Sequence, residues 1–113
     1  MFEKILETTE TIAVAETSYS DVLDMSQVNA KTLEATLDVT SISGSGTSLD
    51  VTPQYSYDKE RWYDMPADGS FTQVLATGSE TLQLGLVAVY IRFKKVVAGA
   101  TPNLTFTIYA VPK

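Results

Sequence analysis

A chain of 113 residues with 44% hydrophobic and 19% charged residues can bury one core and is too apolar for a disordered acidic tail. It has no cysteine and no histidine, which removes disulfides, thiolate metal sites and the commonest general base and metal ligand together. The net charge of −6 is uneven, with nine acidic and two basic residues in the first 50 and five acidic and six basic in the rest; this argues against a nucleic-acid surface and suits a basic partner.

The chain does not open on a basic stretch followed by a long apolar run, and no segment approaches the roughly 20 apolar residues of a membrane-spanning helix. A single soluble domain made in the cytoplasm is expected, with no membrane contact and no cofactor. Asn103-Leu104-Thr105 matches the glycosylation sequon, a chance match in a protein that is not secreted.

Residues 1–10 read in two ways: Phe2, Ile5 and Leu6 form one face of a short helix, or pack as an irregular arm. Ile12 and Val14 alternate with polar neighbours and favour a strand. Residues 17–21, Thr-Ser-Tyr-Ser-Asp, read as a turn, and Val22, Leu23 and Met25 as a short strand ending near Asn29. Residues 32–40 give the clearest strand, with Leu33, Ala35, Leu37 and Val39 on one face and Glu34, Thr36, Asp38 and Thr40 on the other. The small residues 41–47 read as a plain hairpin connection, with an extended, mobile tip as the alternative. Residues 48–57 alternate again, placing Leu49, Val51, Pro53, Tyr55 and Tyr57 on one face; Pro53 lacks a ladder N–H and points to an edge or a bulge.

Residues 58–61 read as a charged turn, 61–65 as a short return strand, and 66–70 as a second turn around Asp68-Gly69. Residues 71–76 and 80–84 are further strands. Val89, Ile91 and Phe93 then alternate with Tyr90, Arg92 and Lys94. After a turn at 98–102, Leu104, Phe106, Ile108 and Ala110 face inward, with Thr105, Thr107 and Tyr109 outward. Short alternating strands separated by regular turns predict an all-β fold: an antiparallel, jelly-roll-like β-sandwich of about eight short strands. Residues 1–17 form an arm or first strand, and 18–113 the sandwich.

The motif Leu-Asp-Val-Thr occurs twice, at 37–40 and 49–52. If the copies pair as a hairpin, parity puts Asp38 and Asp50 on one outer face; like charges then favour a shifted register, or a calcium ion between them. Tyr55, Tyr57, Trp62 and Tyr63 read either as a core wall or as a sugar-stacking platform, with Trp62 and Tyr63 as its glycan-binding residues. Glu and Asp are the only usable acid–base groups; Asp58, Glu60 and Asp64 cluster in sequence and read most simply as a solvated turn. With no phosphate-binding loop, nucleophile elbow or histidine-supported nucleophile, no enzyme is expected.

From about Ser20 onward the chain resembles small β-sandwich virion proteins of tailed phages and prophages. The resemblance rests on Ser20-Asp21-Val22-Leu23-Asp24, on Leu37 to Gly44, on Leu49 to Trp62 with its LDVT-x-Q-x-S-x-D-x-x-x-W order, on Phe71-Thr72-Gln73-Val74, and on Tyr90 to Thr107. The sequence departs at Asp58-Lys59-Glu60, where the family commonly has Asp-Gly. The resemblance implies a non-enzymatic capsid decoration (cement) protein on the outer phage head. It would be a homo-oligomer, with a trimer favoured, that contacts the major capsid protein. Phe2, Ile5, Leu6, Ile42, Ser43, Gly44, Ser45 and Gly46 are the expected partner-binding residues. The alternatives are a glycan- or host-binding module of a tail or head fibre, and a tail-tube or head–tail joining component.

Overall fold

The computed structural model describes residues 6–26, 32–65, 70–85 and 90–113. Period-two alternation turns these into nine strands in two antiparallel sheets packed face to face. The first sheet runs in the order β1 (Leu6–Ile12), β9 (Asn103–Pro112), β4 (Thr32–Ser43), β7 (Gly78–Gly85). The second runs β2 (Glu16–Tyr19), β8 (Tyr90–Ala98), β5 (Ser48–Ser56), β6 (Tyr63–Asp64), and β3 (Leu23–Asp24) continues the β2 edge along β8. Apart from β2–β3 and the β5–β6 hairpin, every connection crosses from one sheet to the other. This is the strand order of a jelly roll, in which interleaved Greek keys close a two-layer core.

The alternation expected for β4, β8 and β9 is present. Leu33, Ala35, Leu37 and Val39 of β4 and Leu104, Phe106, Ile108 and Ala110 of β9 point inward against Leu49, Val51, Ile91, Phe93 and Val97 of the second sheet. Each buried Val, Leu, Ile or Phe among them contributes about 1.5–3 kcal/mol by leaving water, and each alanine less. A bulge at Thr40 adds one residue to β4, so the pairing shifts between Val39 and Ser41 and the end of the strand is re-aimed.

Several expectations need correction. The two Leu-Asp-Val-Thr copies do not form a hairpin: β4 and β5 lie in opposite sheets, and residues 44–47 bridge the layers. Residues 16–19 are a strand rather than a turn, paired Glu16 to Val97 through Tyr19 to Lys94. Residues 6–12 are a full edge strand in register with β9, so the helical reading of this stretch fails. Residues 71–76 make one isolated bridge, Leu49 to Val74, and a backbone bond from Phe71 N to Val51 O. With Met65 N bonded to Pro53 O, these short contacts cover the free side of β5 and make Pro53 tolerable there. The expected Asp68-Gly69 turn, Asn29 and Val89 lie outside the described residues.

Candidate functional site

Among the expected partner-binding residues, Phe2 and Ile5 lie outside the described residues. Leu6 is 7% exposed and belongs to the core, so its side chain is not available to a partner. Ile42 and Ser43 are the last residues of β4; Ile42 is half-buried against the core and Ser43 is exposed. Gly44, Ser45 and Gly46 are exposed but form a tight connection instead of an extended tip. Thr47 Oγ1 donates to Ser43 O at 2.8 Å, and Ala100 N donates to Ser45 O at 3.1 Å. Gly44 sits at φ +102, and a Cβ there would lie 2.0 Å from Thr101 O, so only glycine fits.

Asp38 and Asp50 share no face. Asp38 pairs with Thr107 and Ser79 on the outside of the first sheet. Asp50 pairs with Val96 on the outside of the second and accepts from Gln73 Nε2 at 3.0 Å. The whole sandwich separates them, so no single cation can bridge the pair. Among the described residues, no group of three or more acidic side chains is placed to hold a metal.

The aromatic stretch is the largest departure from expectation. Strand β5 ends at Ser56, so the parity that would bury Tyr57 stops one residue short. Tyr57 is 64% exposed and Tyr63 47% exposed; Tyr55 is half-buried against the core. Tyr55 holds both outer rings, with centroids 6.1 Å from Tyr57, edge to face, and 5.5 Å from Tyr63.

Trp62 is occupied differently. Its ring lies against the Arg92 guanidinium at 4.2 Å, and Tyr19 covers the same guanidinium at 4.0 Å. Its indole N–H donates to Lys59 O at 3.2 Å. Arg92 Nε donates to Gln54 Oε1 at 2.8 Å, and Gln54 Nε2 donates to Asp64 Oδ1 at 2.7 Å. A polar row thus crosses β8, β5 and β6 in register beneath an Arg–aromatic stack. Trp62 packs the outer face of this sheet and offers no open platform.

The turn between β5 and β6 is built by hydrogen bonds. Ser56 Oγ accepts from Asp58 N at 3.2 Å and Lys59 N at 2.9 Å. Asp58 Oδ1 accepts from Ser56 Oγ at 3.1 Å and from Glu60 N and Arg61 N at 2.9 Å each. Lys59 takes φ 67, the left-handed conformation that closes the turn. The backbone N–H groups of Arg61 and Glu60 hold the Asp58 carboxyl below the usual carboxylate range. Beside the turn, Tyr57, Asp58, Arg61 and Tyr63 line a cavity of about 180 Å³. Of Asp58, Glu60 and Asp64, only Asp58 lines it.

Charge is segregated between the two sheets. The strands β1, β9, β4 and β7 contain no Lys or Arg. Their outer face carries Glu7, Glu34 and Asp38 among threonines whose hydroxyls pair across strands: Thr9 with Thr107 at 2.8 Å, Thr11 with Thr105 at 2.9 Å and Thr36 with Thr81 at 2.8 Å. Lys113 reaches Glu34 from the chain end at 2.9 Å. Arg92, Lys94 and Lys95 are all on β8.

Lys95 follows Lys94 directly in the chain but points the other way: it is 3% exposed and pairs with the Glu10 carboxylate across the gap between the sheets. The available signal was parity: Lys95 alternates with Ile91, Phe93 and Val97, and Glu10 with Leu6 and Ile12. Ser18, directly opposite Lys95, buries a hydroxyl oxygen that has no hydrogen-bond partner among the described residues. No protein-family model and no curated protein matches this chain.

Proposed function

We propose that this chain is a non-enzymatic structural virion protein: a capsid decoration (cement) protein that binds the outer shell of a tailed-phage head. The observation that carries the reading is the division of the jelly roll into two unlike faces. One outer face is a four-stranded surface of cross-bonded threonines with Glu7, Glu34 and Asp38 and no cation on its strands. Such a face suits a basic shell surface through charge complementarity, which sets association rate and partner choice. The hydroxyl pairs hold it in one shape, so docking orders few side chains. The β-sandwich phrase order from Ser20 onward supports the same reading, as do the edge strands β1 and β7, since sheet edges invite pairing with another chain. A homotrimer bracing adjacent capsid subunits is the favoured assembly, and the virion surface is its place of action.

Mixing purified protein with undecorated capsids tests the proposal. Added density on the shell and a rise in capsid melting temperature are expected, both weakened by salt and by Glu7→Lys with Asp38→Lys. An undecorated shell with unchanged stability would reject it.

A further inference from the structure

We propose that the depression lined by Tyr57, Asp58, Arg61 and Tyr63 is a binding site for one neutral hexopyranose ring, as found at the end of a surface glycan. The site is independent of the decoration reading, because it belongs to the β5–β6 turn and shares no residue with the acidic threonine face.

Three features point to this ligand. The first is exposure: two tyrosines of the lining, 64% and 47% exposed, stand in water. Both are fixed against Tyr55, so they are pre-oriented aromatic surfaces rather than loose side chains.

The second is polar equipment in the same lining. Asp58 is locked by three hydrogen bonds, all to Oδ1, which leaves Oδ2 to accept from a ligand hydroxyl. The Arg61 guanidinium has no hydrogen-bond partner among the described residues and carries five N–H donors, while its backbone N–H serves the turn. The lining therefore offers both an acceptor and donors, which suits the hydroxyls of a sugar. A simple anion meets the Asp58 charge, a simple cation meets Arg61, and an apolar molecule leaves both groups unpaired.

The third is size. The cavity, about 180 Å³, lies below the roughly 300–1,000 Å³ of clefts for drug-sized molecules, and admits a single ring with its apolar C–H face on a tyrosine. Trp62, the residue that sequence alone offers for stacking, is excluded because Arg92 occupies its ring and Lys59 O its N–H.

Saturation-transfer NMR with glucose, galactose, mannose, N-acetylglucosamine and their neutral disaccharides tests the assignment on the full chain. At least one hexose should receive saturation from tyrosine ring protons. Tyr57→Ala and Arg61→Ala should each weaken its binding by about tenfold or more, the scale of a lost stacking surface or charge-assisted hydrogen bond. Both residues are exposed, so an unchanged melting temperature separates site loss from unfolding. Gln83→Ala, on the far sheet, should leave binding intact. Silence from every neutral sugar would overturn the proposal, as would binding indifferent to Tyr57→Ala and Arg61→Ala. So would a preference for charged over neutral ligands.

Discussion

Replacing Glu10 by Gln removes one charge from the pair that joins the sheets and leaves the shape of the side chain nearly unchanged. Lys95 is then an ammonium 3% exposed, facing a neutral amide, with no other carboxylate bonded to it. Breaking a fully buried pair costs about 3–5 kcal/mol. Glu10 is 28% exposed, so water reaches the site and about 2–3 kcal/mol is the better figure. For a domain of this size, each kcal/mol corresponds to roughly 3–6 °C, so Glu10→Gln should melt about 6–18 °C lower by circular dichroism, with the same order of loss in urea. The double variant Glu10→Leu with Lys95→Met removes both charges and should recover most of the loss, because a well-packed apolar pair replaces a desolvated ionic one. The reasoning fails if Glu10→Gln melts within about 0.5 kcal/mol of the parent, a shift typical of neutral surface changes. It fails equally if the double variant is no better than the single one.

Three further outcomes follow from other sites. Gly44→Ala should cost more than about 3 kcal/mol, combining left-handed strain with overlap on Thr101 O; Gly46→Ala, which meets no neighbour, should cost about 1 kcal/mol, so equal melting temperatures would contradict the steric account. Asp58 has a lowered folded-state pKa, so its stabilising effect is complete above the ordinary value of 3.8 and disappears as pH falls through that value toward the lower folded one. Asp58→Asn should therefore flatten the acid limb of a melting-temperature profile, and an unchanged limb would refute the turn's role. Arg92→Met removes two ring contacts and the bond to Gln54 for about 1–2 kcal/mol, and should shift the emission of Trp62, the only tryptophan. Unchanged emission would mean that the stack does not persist in solution.

What the sequence revealed follows what alternation can encode. Period two says which side chains of β4, β8 and β9 share a face, and those assignments hold for the described residues, although outward-facing Thr107 is covered by its neighbours. It says nothing about which sheet a strand joins. The two similar phrases at 37–40 and 49–52 therefore read as partners although the layers separate them. Strand β2 was hidden because its residues, Glu-Thr-Ser-Tyr, lie on an edge with little burial and so carry no apolar signal. Tyr57 was misplaced because parity was carried past the end of its strand. Parity puts Glu10 and Lys95 each on an inward face, but their contact is not readable, because the two stand far apart in the chain and in opposite sheets. Of the candidate sites, the β5–β6 turn was legible as a turn. Its cavity depends on four side-chain orientations that no spacing rule supplies.

Strand β9 lies between β1 and β4, bonded along both edges. The first strand of its sheet therefore has nothing to pair with until the last has arrived, and such late, non-local closure makes for slow folding. Until then the sheet holds a strand-wide slot between β1 and β4. The best-matched occupant of that slot is the Asn103–Pro112 segment, whether it comes from the same chain or from a neighbouring copy. At high concentration an exchange of this segment would join copies without creating any new contact, the low-cost route to assembly known as domain swapping.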